Sequence, residues 1–199
     1  MPRVLVLFAH PRLEKSRTNQ ALLRRFPKHK DITFRDLYES YPDFNVDIRR
    51  EQNLLNQHDV IVWHHPFYWY SAPPLLKQWI DLVLAFGWAY GPGGKALTGK
   101  TVFQVLTTGG PSQAYAADGF HGWTMEEFLR PMQRTVTLCH MHWIPPFVVH
   151  GTNLLGDAEL ERYAARYADL LVAFAEGRAS HKHVEGMATL NELMPLDRP

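Results

Sequence analysis

The run His65-Pro66-Phe67-Tyr68-Trp69-Tyr70-Ser71-Ala72-Pro73-Pro74 directly follows the apolar stretch Val60-Ile61-Val62-Trp63. An unbroken apolar stretch of that length reads as a strand buried on both faces. Prolines forbid continuation of either strand or helix, so the rings stand on a stiff loop at the strand's carboxyl end. Open α/β sheets bind ligands at that end. A wall of successive rings suits a flat aromatic ligand. Adjacent side chains diverge, so Phe67, Tyr68, Trp69 and Tyr70 cannot all turn inward; one or two of them close the sheet end, while Trp63 faces the core.

Further apolar runs alternate with helical patterns, the signature of βαβ units around a parallel sheet. Strands are expected at Val4 to Ala9, Ile32 to Leu37, Val60 to His64, Thr101 to Leu106 and Trp143 to Val149, the last edge-like because of Pro145 and Pro146. Helices are expected at Thr18 to Phe26, Val46 to Gln57, Leu75 to Leu84, Met125 to Leu138 (kinked or divided at Pro131) and Asp157 to Ala175. The fold class is therefore α/β: a flavodoxin-type three-layer sandwich with a five-stranded parallel sheet ordered 2-1-3-4-5. Residues 1–177 form one domain. The tail from Arg178 to Pro199 has few apolar residues and reads as disordered or as an arm on a partner subunit.

Composition narrows the class. Of 199 residues 46% are apolar and 21% charged, which fits a globular chain rather than a disordered one. A net charge of +1 supplies no field that would attract nucleic acid. The single Cys139 excludes an internal disulfide framework. Met1 to His10 lacks a signal-peptide apolar region, and no segment approaches the roughly 20 apolar residues of a membrane helix, so a cytoplasmic protein is expected. Cys139, His140 and His142 lack the convergent donor set of a metal site, and none is expected.

In a 2-1-3-4-5 sheet the carboxyl ends of strands one, three and four lie side by side. They carry His10, the aromatic loop, and Thr107-Thr108-Gly109-Gly110. After His10, the loop holding Ser16, Arg17, Thr18 and Asn19 opens a helix whose N–H groups and dipole suit a phosphate monoester. Ser16 and Thr18 serve equally as ordinary helix caps. No GxGxxG or GKT follows the first strand, which disfavours dinucleotide and P-loop readings. The glycines of the third segment let backbone donors approach a ligand edge.

These segments, together with Asp36-Leu37-Tyr38, Tyr41-Pro42-Asp43-Phe44, His65 through Asp81, Gly87 to Gly94 and Trp143-Ile144-Pro145-Pro146, carry a resemblance. Over about residues 4 to 175 the chain resembles the flavodoxin-like NAD(P)H:quinone oxidoreductases, and among them the ancillary subunits of Kef-type glutathione-gated potassium-efflux systems. The resemblance implies a noncovalent FMN, with His10 and Ser16 to Asn19 at its phosphate. Phe67, Tyr68, Trp69 and Tyr70 would line its ring, and Thr107, Thr108, Gly109 and Gly110 its pyrimidine side. Tyr115 and His121 match the catalytic pair that assists a quinone acceptor. NAD(P)H would be the co-substrate in a ping-pong cycle. The alternative is a regulatory subunit on the cytoplasmic face of a potassium–proton antiporter, peripheral to the inner membrane. A homodimer is implied in either case, with Tyr41 to Phe44 and Gly119 to Trp123 near its interface.

Overall fold

The apolar runs build one parallel sheet. Strands β1 (Val4–Phe8), β2 (Ile32–Asp36), β3 (Val60–Pro66) and β4 (Thr101–Thr107) stand in the order β2-β1-β3-β4, and β4 pairs on its far side with β5 (His142–Trp143) and β6 (Phe147–Val149). Every ladder is parallel. The computed structural model describes residues 1–184 and 186–193. Helices α1 (Arg17–Arg24), α2 (Leu37–Ser40), α3 (Ile48–Asn56), α4 (Pro74–Val83), α5 (Met125–Phe128), α6 (Arg130–Leu138) and α7 (Asp157–Ala175) cover the two faces.

Each strand feeds both faces. Leu5, Leu7, Ile61, Trp63 and Val102 pack with α3, α4 and α6, whereas Val4, Val6, Val60, Val62 and Phe103 pack under α1 and α7. Because successive side chains point to opposite faces and both faces are covered, the strands are apolar throughout rather than alternating. Register then levels the strand ends: Phe8 pairs with His64, Pro66 with Thr107, and Thr107 with Val149. That alignment brings the chemically distinctive segments to one edge.

Three expectations are corrected. The single strand Trp143 to Val149 is divided, because Pro145 and Pro146 have no N–H for the ladder. The helix Met125 to Leu138 is two helices, and Pro131 sits in the first turn of the second, where a missing N–H costs little. The helix drawn from Val46 begins at Ile48, because the Asp47 side chain accepts from Arg50 N at 3.0 Å and caps it.

The tail also departs from expectation. Ala179, Val184 and Leu190 are buried in the core cluster beneath α7. Asn191 accepts from Val148 N at 2.8 Å and donates to Val148 O at 2.9 Å, standing in for a neighbouring strand on β6. The described part of the tail thus packs on its own sheet; residues 194–199 lie outside the described residues. Among the described residues no helix is long and apolar enough to cross a membrane.

One buried charge ties the α3–α4 face together. Glu51 is fully buried and accepts from Arg35 at 2.9 and 3.0 Å, from Tyr41 Oη at 2.7 Å and from Trp79 Nε1 at 2.9 Å. Its carboxylate is fully satisfied, the condition under which a buried ion is tolerated.

Candidate functional site

A cleft of about 560 Å³ opens at the carboxyl ends of β1, β3 and β4. His10, Ser16, Tyr68, Thr107, Gly109 and Asn153 are among the residues lining it. Among the described residues its walls include Arg12, Lys15 and Arg17 but no carboxylate. Hydroxyls, amides and cations without an acid make it suited to an anion.

The cradle is set by local structure. Ser16 ends a short 3₁₀ turn (Leu13–Lys15) and caps α1, its Oγ accepting from Asn19 N at 3.3 Å. The first N–H groups of α1 are left facing the cleft mouth, as at any helix start. Both readings of Ser16, cap and anion donor, are compatible here, since capping uses lone pairs and leaves the proton. His10 is nearly buried and its Nδ1 accepts from Arg12 N at 3.1 Å, so the neutral ring carries its proton on Nε2. Burial holds this imidazole below its ordinary pKa, with Glu14 opposing.

Asn19 occupies the centre. It is 1% exposed, and its Nδ2 donates to Ser16 Oγ at 2.9 Å and Thr107 Oγ1 at 3.1 Å. His64 Nε2 lies 3.0 Å from its Oδ1. Thr18 is buried beside it. Arg17 swings outward, donating to Leu155 O and pairing with Asp157 at 3.1 Å, so its head is committed to the start of α7 although its stem borders the cleft.

The aromatic loop divides as divergent side chains require. Phe67 packs on a small core with Leu106, Met125, Leu129 and Val148 and also borders the cleft. Tyr68 lines the cleft edge-on to His10, with centroids 6.1 Å apart. Trp69 and Tyr70 both adopt left-handed backbone, with φ of 49° and 61°, in a two-residue turn closed by Ser71 N to Tyr68 O at 3.0 Å. Such turns normally hold Asn or Gly, so bulky rings there are strained. Trp69 is 91% exposed and lies outside the cleft, where a ring-lining role was expected. Tyr70 stacks on Phe128 at 4.8 Å.

The third segment splits likewise. Thr107 and Gly109 line the cleft. Thr108 turns away: its N–H donates to Val149 O at 2.9 Å and its hydroxyl to Gly110 O at 2.8 Å, beside His150 Nδ1 at 3.2 Å. Among the described residues the N–H groups of Gly109 and Gly110 have no acceptor. A Cβ at Gly110 would sit 3.3 Å from both Tyr115 and His121, so this pair adjoins the loop directly. Their rings lie 4.6 Å apart, and His121 Nδ1 is 3.3 Å from Tyr70 Oη. Burial raises the Tyr115 phenol.

Several site residues escaped the sequence reading. Thr152 and Asn153 line the cleft from a fourth strand end, after β6, where the Gly151-Thr152-Asn153 turn was an available signal. Arg12 and Lys15 lay within the first loop. His64 and Tyr167 looked like core residues, and no signal distinguished them.

Residues 2–171 match the family described by a flavodoxin-like fold. The chain belongs to that family. It is 46% identical over 170 residues to the glutathione-regulated potassium-efflux system ancillary protein KefG of Serratia proteamaculans, covering 85% of this chain and 93% of that one. The structure of general stress protein 14 from Treponema denticola, in complex with FMN, superposes with a TM-score of 0.81 at 38% identity, over 89% of this chain and all of that one. An NADPH-quinone reductase from P. pentosaceus gives 0.77 at 30% identity, over 85% and 97%. In a flavodoxin-like sheet the cleft sits at the switch point between β1 and β3, where the order reverses. The residues present fit a flavin mononucleotide: a cationic, carboxylate-free donor cradle at one end, free N–H groups of Gly109 and Gly110 beyond it, and Tyr68 alongside.

Proposed function

We propose that this protein is an FMN-dependent NAD(P)H oxidoreductase that reduces quinone-type acceptors. The observation that carries the reading is the cleft itself, in which an anion cradle and an edge of free backbone donors meet at the switch point. The FMN complex of a 38% identical relative supports the cofactor, and the name of the P. pentosaceus relative supports the activity. When bound, the flavin supplies two-electron chemistry between NAD(P)H and the acceptor.

This chain's residues have separable tasks. Ser16, Thr18 and His10, with Arg12 and Lys15, hold the phosphate, and Asn19 braces Ser16 from behind. Gly109 and Gly110 donate to the pyrimidine edge and stabilise negative charge there. Tyr68 walls one side. Tyr115 and His121 donate to an acceptor oxygen, and Tyr70 orients His121 through the 3.3 Å contact. Anaerobic addition of NADPH to the purified, FMN-loaded protein should bleach the flavin bands, and rates against both substrates should give parallel lines. An unbleached spectrum would end the enzymatic reading.

A second reading, supported by the KefG relatives, is a regulatory subunit that docks on a potassium-efflux antiporter. Co-purification with such an antiporter, unaffected by His121→Ala, would favour it. In both readings we propose a homodimer, and sedimentation giving only monomer would remove that part.

A further inference from the structure

We infer that Tyr167 and His64 are positioning residues that orient the hydroxyls of Ser16 and Thr107 as hydrogen-bond donors toward a phosphate. This deepens the flavin reading and rests on it only for the identity of the anion.

The argument follows protons along one buried chain. His64 and Tyr167 have no exposed surface, and Asn19 almost none. Tyr167 Oη lies 3.1 Å from His64 Nδ1, His64 Nε2 lies 3.0 Å from Asn19 Oδ1, and Asn19 Nδ2 reaches both Ser16 Oγ and Thr107 Oγ1. Two polarities are conceivable. In one, every proton points from Tyr167 toward the cleft. In the other, Ser16 and Thr107 spend their protons on an inverted Asn19 amide, and His64 donates from Nδ1 to Tyr167.

Burial decides between them. Among the described residues Tyr167 Oη has one hydrogen-bond neighbour, His64 Nδ1. In the inverted chain the phenolic proton would have no acceptor inside the core, a cost of a lost hydrogen bond or more. In the forward chain it is used, both Asn19 amide protons are used, and no polar atom is left over. Phe8 packs edge-on to His64 with centroids 4.9 Å apart and so offers it no polar alternative. Burial also keeps the imidazole neutral, as a ring that donates at one nitrogen and accepts at the other must be.

The consequence lies in the cleft. Ser16 Oγ already accepts from Asn19 N and Asn19 Nδ2, which fills its lone pairs and leaves its proton to donate. Thr107 Oγ1 accepts from Asn19 as well. Two hydroxyls on different elements are thereby set as donors by a phenol on α7. The inverted chain would present oxygens with lone pairs and repel a phosphate.

Two measurements on the full chain test this. In ¹⁵N-histidine correlation spectra His64 should carry its proton on Nε2 with Nδ1 bare; the Nδ1–H tautomer would overturn the assignment whether or not flavin binds. In flavin titrations Tyr167→Phe should weaken FMN about tenfold, while riboflavin, which lacks the phosphate, stays within about twofold. His64→Leu should lose more FMN affinity, and His64→Gln, whose amide N–H still reaches Asn19, should recover most of it. Equal losses for both flavins, or unchanged FMN affinity in both Tyr167→Phe and His64→Leu, would refute the positioning role. A wild-type protein that binds neither flavin would sink the cofactor reading instead, and the tautomer would still decide the polarity.

Discussion

At the α1 end of the cleft, Asn19 is buried and each polar atom of its side chain has a partner; at the opposite rim, Trp69 stands in solvent on left-handed backbone. The first region is a closed hydrogen-bond network on helix and strand ends. The second is a cluster of rings, Tyr70, Tyr115, His121 and Phe128, joined by stacking and one long 3.3 Å contact. Networks fix direction, because an inverted partner leaves a buried group unpaired. Ring contacts are broad and tolerate adjustment. A fixed anion end and an adjustable ring end suit a cofactor that stays while substrates exchange over it.

The contrast breaks most severely in acid. His64 and His65 are wholly buried, pushed down to about 3 and about 4, and His150 to about 4, chiefly by burial. In the unfolded chain these rings titrate near 6.5, so between about pH 6.5 and 3 the unfolded state binds more protons. Their neutral-state contribution is complete above that window and is lost as pH falls through it. Urea unfolding should show stability falling by on the order of several kcal/mol from pH 7 to 5; a flat profile would deny that the fold holds these rings neutral. Next, Asn19→Leu strands the buried partners Ser16, His64 and Thr107, and should cost about 2–4 kcal/mol in the same assay.

Changes at the rim should instead spare stability. His121→Ala should slow acceptor reduction about 100-fold, with NADPH oxidation in the flavin half-reaction nearly unchanged by stopped-flow. If both half-reactions slow equally, the two regions are not functionally separate. The smallest effect belongs to Trp69→Gly, which relieves left-handed strain. It should stabilise the fold by about 1 kcal/mol and leave FMN affinity within threefold. A large loss of FMN affinity there would return Trp69 to the flavin wall.

Much of the site was readable because its signals are local. Ser16 before a helix, glycines after a strand, and rings after a buried run each declare a strand end by composition alone. The division of labour within each segment was not readable. Thr107 and Thr108 are neighbours with opposite fates, because a strand alternates faces and only neighbouring elements decide which face holds the ligand. Trp69 sits 91% exposed in a two-residue turn, a placement that its neighbours in sequence did not announce. The tail was misjudged because its few anchors, Val184, Leu190 and Asn191, act singly and leave no periodic trace.

Sequence by itself determined the α/β class, the strand order and the edge at which chemistry gathers, since hydrophobic runs and glycine–proline punctuation report burial and chain reversal directly. Tertiary structure alone decided what His64 and Tyr167 do. They lie 103 positions apart, and each reads as ordinary core. The direction of a hydrogen-bond chain is a property of every partner in it, and it exists only once the fold has brought those partners within 3 Å or so of one another.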